Sequence, residues 1–298
     1  MAKEAIQNAT NMCVDTTNFV AMANELICAN LGLTLNAGKI FRLAVMQEKP
    51  KDNDDFKPYK LNIKEFGELI NRDGDSLYKD LDRITDELLY KKILIRDIND
   101  PESRWSKINL CSRASFDKGD IYIVVNNELK PYLKNLEGFY SQYQLDKIMP
   151  FSSRYGVDLY ELIKVGLQND HLLLPEDERE IIITMDALRI RTETVELYPR
   201  SNDFKKRVID PAVEDINAIT CGLRIKSVEA VKKSRKVIAY KFLITSWTAQ
   251  NPMNDEIRKK VDSKKKEIKE KKIRKHKEIK ESYIQMGLEE FIKLRGEG

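Results

Sequence analysis

Three consecutive cations, Lys205, Lys206 and Arg207, open a segment, 201–220, in which Phe204, Val208, Ala212, Ile216 and Ile219 recur every three or four positions. That spacing predicts a helix with one face packed on a core. At 100° per residue, Asn202 and Lys206 point nearly opposite the apolar stripe, with Lys205 and Arg207 on its flanks. A second cluster, Lys232, Lys233, Arg235 and Lys236, joins two alternating segments, 223–228 and 237–244, and reads as the tip of a β-hairpin. Lys and Arg donate to guanine O6 and N7, and Asn pairs with adenine. A helix start also carries a positive dipole that suits phosphate. The chemistry these types support is recognition of DNA, with base edges met by the helix and backbone by the hairpin. A solvated helix face with ordinary lysines is the plainer alternative. The joint presence of a basic helix start and a basic hairpin tip in one module weighs against it.

Bond-making chemistry is poorly supplied. His171 and His276 are the only histidines, too few for a paired-His metal site or a Ser-His-Asp triad. The string Asn36–Ala37–Gly38–Lys39–Ile40 has Leu33 where a phosphate-cradling loop needs glycine, and no Ser or Thr after its lysine. Cys13, Cys28, Cys111 and Cys221 form no CxxC pair and read as reduced thiols of a cytoplasmic protein. No apolar run reaches 18 residues, and the first ten residues lack a secretory layout, so neither a membrane span nor export is expected. No cofactor and no metal are expected, and an enzyme is disfavoured. A nicking or relaxing enzyme built on carboxylates is the reading from that class that stays open.

Charge is segregated. The 298-residue chain carries +4, but residues 257–280 hold 13 Lys/Arg against 4 Asp/Glu, a local +9 that leaves −5 for the remainder. This Lys-rich arm is followed by Tyr283, Ile284, Leu288, Phe291, Ile292 and Leu294 at helical spacing. It reads as a basic, helical extension able to grip phosphates without reading sequence.

Stepping along the chain, the periodicities predict helices over 17–30, 34–47, 63–71 and 76–90, with Thr34 or Asn36 as a cap for the second. Strands follow near 93–95, 105–111 and 121–125, the last two joined by the turn Asp117–Lys118–Gly119–Asp120. Helices followed by a charged hairpin are the layout of a winged helix. The layout repeats with helices over 152–168, 184–190 and 201–220 and the hairpin 223–244. The fold class is therefore α+β: two tandem winged-helix domains with the basic extension, divided as 1–140, 141–250 and 251–298. In the first module Lys79 and Arg83 lie on helix 76–90 and Arg104 and Lys107 on its hairpin, offset by Asp75, Asp80, Asp82, Asp86 and Glu87. Backbone contact to DNA, a protein interface and a salt-bridged surface all remain open for these residues. Pro211 should kink helix 201–220 or begin a second segment capped by Asp210.

An ordered set of residues resembles the iteron-binding plasmid replication initiators with two winged helices. It starts at Asn24–Glu25–Leu26–Ile27 and runs through Asn127, Leu129–Lys130–Pro131–Tyr132–Leu133 and Ser153–Arg154–Tyr155. It is densest over Tyr198 and Asp203–Phe204–Lys205–Lys206–Arg207–Val208–Ile209–Asp210–Pro211–Ala212, and closes on Arg235–Lys236–Val237 and Phe242. The resemblance implies binding to direct repeats in double-stranded origin DNA, opening of an adjacent AT-rich duplex, and recruitment of a host helicase or loader. It also implies a monomer–dimer equilibrium in which the dimer, joined through the first module, represses its own gene. By the same resemblance Lys205, Lys206, Arg207, Lys232, Arg235 and Lys236 contact the repeat, and Arg154 meets phosphate. Ser234 stands where the family favours glycine, which questions the local turn. A double winged-helix transcriptional repressor is the alternative reading.

Overall fold

The structure is a computed structural model that describes residues 9–48, 54–72, 74–96, 105–136, 139–167, 178–219 and 222–246. All of these belong to one compact unit. Arg104, His171, Cys221 and the whole basic extension lie outside the described residues.

The first module opens with a short strand β1 (Thr10–Asn11), then β2 (Phe19–Ala23), α1 (Asn24–Cys28) and α2 (Leu35–Met46). The expected single helix over 17–30 is thus a strand followed by one and a half turns of helix. Val20 and Met22 are fully buried because β2 pairs antiparallel with β8 (Tyr140–Gln144), more than a hundred residues downstream. Local periodicity has no access to such a partner. Helix α2 is enclosed on every side: from Asn36 to Met46 each residue is buried, including Lys39 and Arg42. A helix buried all round shows no clean stripe, so the expected face of Ile40, Leu43 and Ala44 understates its contacts.

Strand β3 (Tyr59–Asn62) runs into α3 (Ile63–Leu69), whose start is capped by the Asn62 side chain accepting from the Lys64 and Glu65 amides at 3.0 and 3.4 Å. Helix α4 (Gly74–Tyr90) buries Leu77, Leu81, Ile84 and Leu88, as its spacing predicts. Two hairpins follow, β4 (Lys92–Arg96) with β5 (Trp105–Asn109), and β6 (Cys111–Asp117) with β7 (Asp120–Val125). Lys118 and Gly119, both at positive φ, make the tight turn of the second. Strands β1, β3, β7 and β6 form one sheet in that order. Pro131 sits in the first turn of α5 (Lys130–Leu133), where its missing N–H costs nothing.

The second module comprises α6 (Arg154–Gly166), β9 (Glu178–Thr184), α7 (Met185–Arg191), a composite helix α8 (201–218), β10 (Leu223–Lys233) and β11 (Lys236–Ser246). Its sheet has the order β10-β11-β9, antiparallel throughout. Ser153 caps α6 and Thr184 caps α7 through side-chain acceptors. The fold is two winged helices of mixed helix and strand.

Candidate nucleic-acid interface

Helix α8 is held to its module at both ends. Phe204 and Tyr240 stack with ring centroids 6.5 Å apart, and the Tyr240 hydroxyl donates to the Ser201 carbonyl at 3.2 Å. At the far end the Asn217 amide exchanges two 2.9 Å hydrogen bonds with the backbone of Ile225 on β10. Phe204, Val208, Ala212 and Ile216 are buried, so the predicted stripe is the packed face. Asn202, Lys206 and Arg207 are exposed on the other side.

Pro211 lies in the first turn of a second α-helical segment, Asp210–Ala218, but Asp210 does not cap it. Residues Lys205–Ile209 widen into a π-helical turn between Ser201–Phe204 and Asp210–Ala218. Proline cannot donate to the preceding turn and its ring crowds that turn's carbonyl, and a wider turn accommodates both. Asp210 is itself helical, at φ −61 and ψ −46, and its carboxylate pairs with the Lys205 ammonium instead of capping. The widened turn carries Lys205, Lys206 and Arg207. Lys205 is therefore neutralised, whereas Lys206 and Arg207 make no ion pair among the described residues. The Arg207 guanidinium lies over the Tyr198 ring, 5.6 Å from its centroid.

The loop before α8 is organised by a residue that periodicity does not single out. Arg189 on α7 donates to the carbonyls of Thr194, Leu197 and Tyr198 at 2.8, 2.6 and 2.7 Å, and its guanidinium stands 4.7 Å over Phe204. Tyr198 needs that support because its φ of +53 is unfavourable for a side chain with a Cβ.

Strands β10 and β11 extend to Lys233 and Lys236, beyond the expected segments 223–228 and 237–244, and leave a two-residue tip, Ser234–Arg235. Ser234 has φ +56, the conformation for which glycine is favoured. Lys232, Lys233, Arg235 and Lys236 are all exposed and make no ion pair among the described residues. Further down the ribbon the pattern inverts. Lys226 pairs with Glu178, and Lys241 pairs with Glu180 and Glu229, both at 3.0 Å. Carboxylates neutralise the base of the hairpin and leave the tip positive, so among the described residues the widened turn of α8 and the wing tip both carry uncompensated positive charge.

Arg154 is turned inward. Its guanidinium pairs with Glu193 at 3.2 Å, donates to the Thr192 carbonyl at 2.9 Å and lies over Tyr155. Glu193 also receives Lys91 and Asn30 from the first module, at 2.9 and 3.2 Å. These interactions commit Arg154 to the junction between modules. In the first module, Lys79 is exposed and makes no ion pair among the described residues, Arg83 pairs with Asp80 at 3.0 Å, and Lys107 lies over Trp105 at 5.3 Å. The first module thus presents a weaker and more dispersed positive surface. The described residues contain no group of three or more His, Cys, Asp or Glu side chains arranged to hold a metal, and no helix among them is long and apolar enough to cross a membrane.

Against known proteins, residues 19–164 match the family described as Initiator Replication protein, WH1, and residues 184–244 match Initiator Rep protein, WH2. Among solved structures, the fold is similar to that of the Pi initiator protein crystallised in complex with iteron DNA. The likeness has a TM-score of 0.64 at 20% identity and covers 78% of this chain and 98% of that one. Two winged helices in this order, matched one to each half, place the chain in the initiator replication protein family.

Proposed function

We propose that the chain is an iteron-binding plasmid replication initiator that reads direct repeats in double-stranded origin DNA through its second winged helix. The observation that carries this reading is the pair of uncompensated basic points on that module, Lys206 and Arg207 at the widened turn and Lys232, Lys233, Arg235 and Lys236 at the wing tip. A helix in the groove with a wing on the flanking backbone uses both. Asn202, exposed one turn before Lys206, fits the same surface, while Lys205 serves it indirectly by fixing Asp210. Lys79, Lys107 and Arg104 of the first module add backbone contact.

In this reading the bound protein helps open an adjacent AT-rich duplex and engages a host helicase or loader. A dimer joined through the first module represses the gene, and the protein works in the bacterial cytoplasm. The test is binding to direct-repeat DNA against a scrambled duplex at fixed salt, followed by permanganate probing of a supercoiled origin plasmid. Preference for the repeats with unpaired thymines beside them supports the proposal. Equal affinity for both duplexes overturns it, and binding without unpaired thymines moves the reading to a repressor.

A further inference from the structure

A cleft of about 490 Å³ opens where the start of α2, the α3–α4 connection and the segment before α6 meet. Among the described residues, three cations line it, Lys39, Arg72 and Arg83, and no carboxylate does. Arg72 is exposed and makes no ion pair among the described residues, while Arg83 shares its charge with Asp80.

The neutral lining is also short of partners. Thr34 precedes the twelve-residue α2 but supplies no side-chain cap, and its Oγ1 is buried without a hydrogen bond. Asn36, in the first turn, is 6% exposed, and its side-chain amide makes no hydrogen bond among the described residues. A buried hydroxyl without a partner is costly, so the position of Thr34 Oγ1 on a cleft wall marks a place for a ligand. The unsatisfied backbone N–H groups and positive dipole of the first helical turn face the same lining. Lys39 is 4% exposed and donates to the Phe151 carbonyl at 2.9 Å. The nearest carboxylates are already engaged. Glu87 accepts from the Thr34 amide at 2.7 Å, and Asp215 accepts from the Ser152 and Ser153 amides.

We propose that this cleft binds a phosphate group through Arg72, Arg83, Lys39, Asn36 and the first turn of α2. A tetrahedral anion matches the inventory of converging donors around a positive helix end. Burial lowers Lys39 to about 8, opposed by Asp215 and reinforced by Arg72, so an anion here restores the proton that burial weakens. The phosphate is either a backbone phosphate of bound DNA or a free phosphate. The first source rests on the function proposed above, and the second does not.

Wild-type protein, Arg72→Gln and the exposed-surface control Lys64→Gln are heated in inorganic phosphate and in chloride at equal ionic strength. The salt dependence of repeat binding is then measured for all three. A saturable rise in Tm with phosphate, lost in Arg72→Gln alone, assigns the site to free phosphate. No thermal effect, with a slope of log K against log salt smaller by about one in Arg72→Gln but not in Lys64→Gln, assigns it to the DNA backbone. Arg72→Gln indistinguishable from Lys64→Gln in both assays overturns the site. Failure of the wild type to bind repeats at all refutes the proposed function instead, and the thermal arm then decides the cleft alone.

Discussion

Arg42 of α2 and Glu161 of α6 are held together by a two-pronged ion pair that water does not reach. The Arg42 Nε and Nη2 groups meet the two carboxylate oxygens at 2.7 Å each, with the side chains 4% and 0% exposed. Arg191 and the Tyr143 hydroxyl also donate to this carboxylate, and Arg191 reaches Asp158 at 3.0 Å and the Ala29 carbonyl at 3.0 Å. Arg42, Tyr143, Asp158 and Glu161 lie within the residues matched to WH1, and Arg191 lies within those matched to WH2. The two winged helices are therefore linked, through Arg191, by a buried network of ion pairs and hydrogen bonds. Such a network specifies one arrangement more than it adds net stability.

Removing its centre is costly because Arg42 then lies buried without its ion-pair partner and Arg191 keeps only Asp158. Glu161→Ala should destabilise the folded chain by about 3–5 kcal/mol, read as a lower urea midpoint. A loss within experimental scatter would show that the network relaxes into water. The pH dependence has a defined sign. Burial raises the Glu161 carboxyl, but Arg42 and Arg191 outweigh it and hold the group below its usual 4.5. Its stabilisation is complete above that value and drains as pH falls through the lower folded-state value. Asp158 works the other way: burial raises it despite Arg191 and Arg42, so protonation relieves it. Glu161→Gln should show a shallower loss of stability than wild type below about pH 4.5, and an unchanged acid limb would refute the assignment.

Lys206→Ala should weaken binding to repeat DNA by about 1–3 kcal/mol and reduce discrimination against random duplex, if the side chain meets a base edge. Competition titrations at one salt concentration report both quantities. Equal loss on both DNAs would reassign Lys206 to the backbone.

Arg189 touches the interface only through the Thr194, Leu197 and Tyr198 carbonyls and the Phe204 ring. Arg189→Met should therefore lower repeat affinity about tenfold, about 1.4 kcal/mol, with an unaltered salt slope. Arg189→Lys should not rescue it, because one ammonium cannot span three carbonyls. A slope reduced by about one would mean that Arg189 itself meets phosphate.

Ser234 holds a left-handed conformation at the wing tip. Ser234→Gly should stabilise the chain by about 0.5–1 kcal/mol, since the relief of a Cβ at positive φ exceeds the added freedom of the unfolded chain. Thermal unfolding measures it, and a lower Tm would mean that the serine makes a compensating contact.

Residues 257–280 carry a local +9. A chain ending at residue 251 should bind repeats with a flatter dependence of log K on log salt, since fewer counterions are released. An identical slope would show that the arm stays off the DNA.

Local pattern was enough to delineate α4, α6 and α8, because helical stripes such as Leu77, Leu81, Ile84 and Leu88 arise from neighbours within a few turns. It was also enough to cluster the wing cations, since a hairpin tip is local. It failed at β2, whose partner lies in β8, and at Lys39 and Arg42, which look like solvent-facing charges in a helix pattern. Arg42 is buried because Glu161 lies 119 residues away in sequence and 2.7 Å away in space. The widened turn at Lys205–Ile209 is a similar case: Pro211 announced a disturbance, and packing at both ends of α8 decided that the helix continues. The sequence by itself determined which segments are amphipathic and where positive charge is concentrated. The tertiary structure decided which charges remain free, because a cation's availability depends on carboxylates that only folding brings within reach.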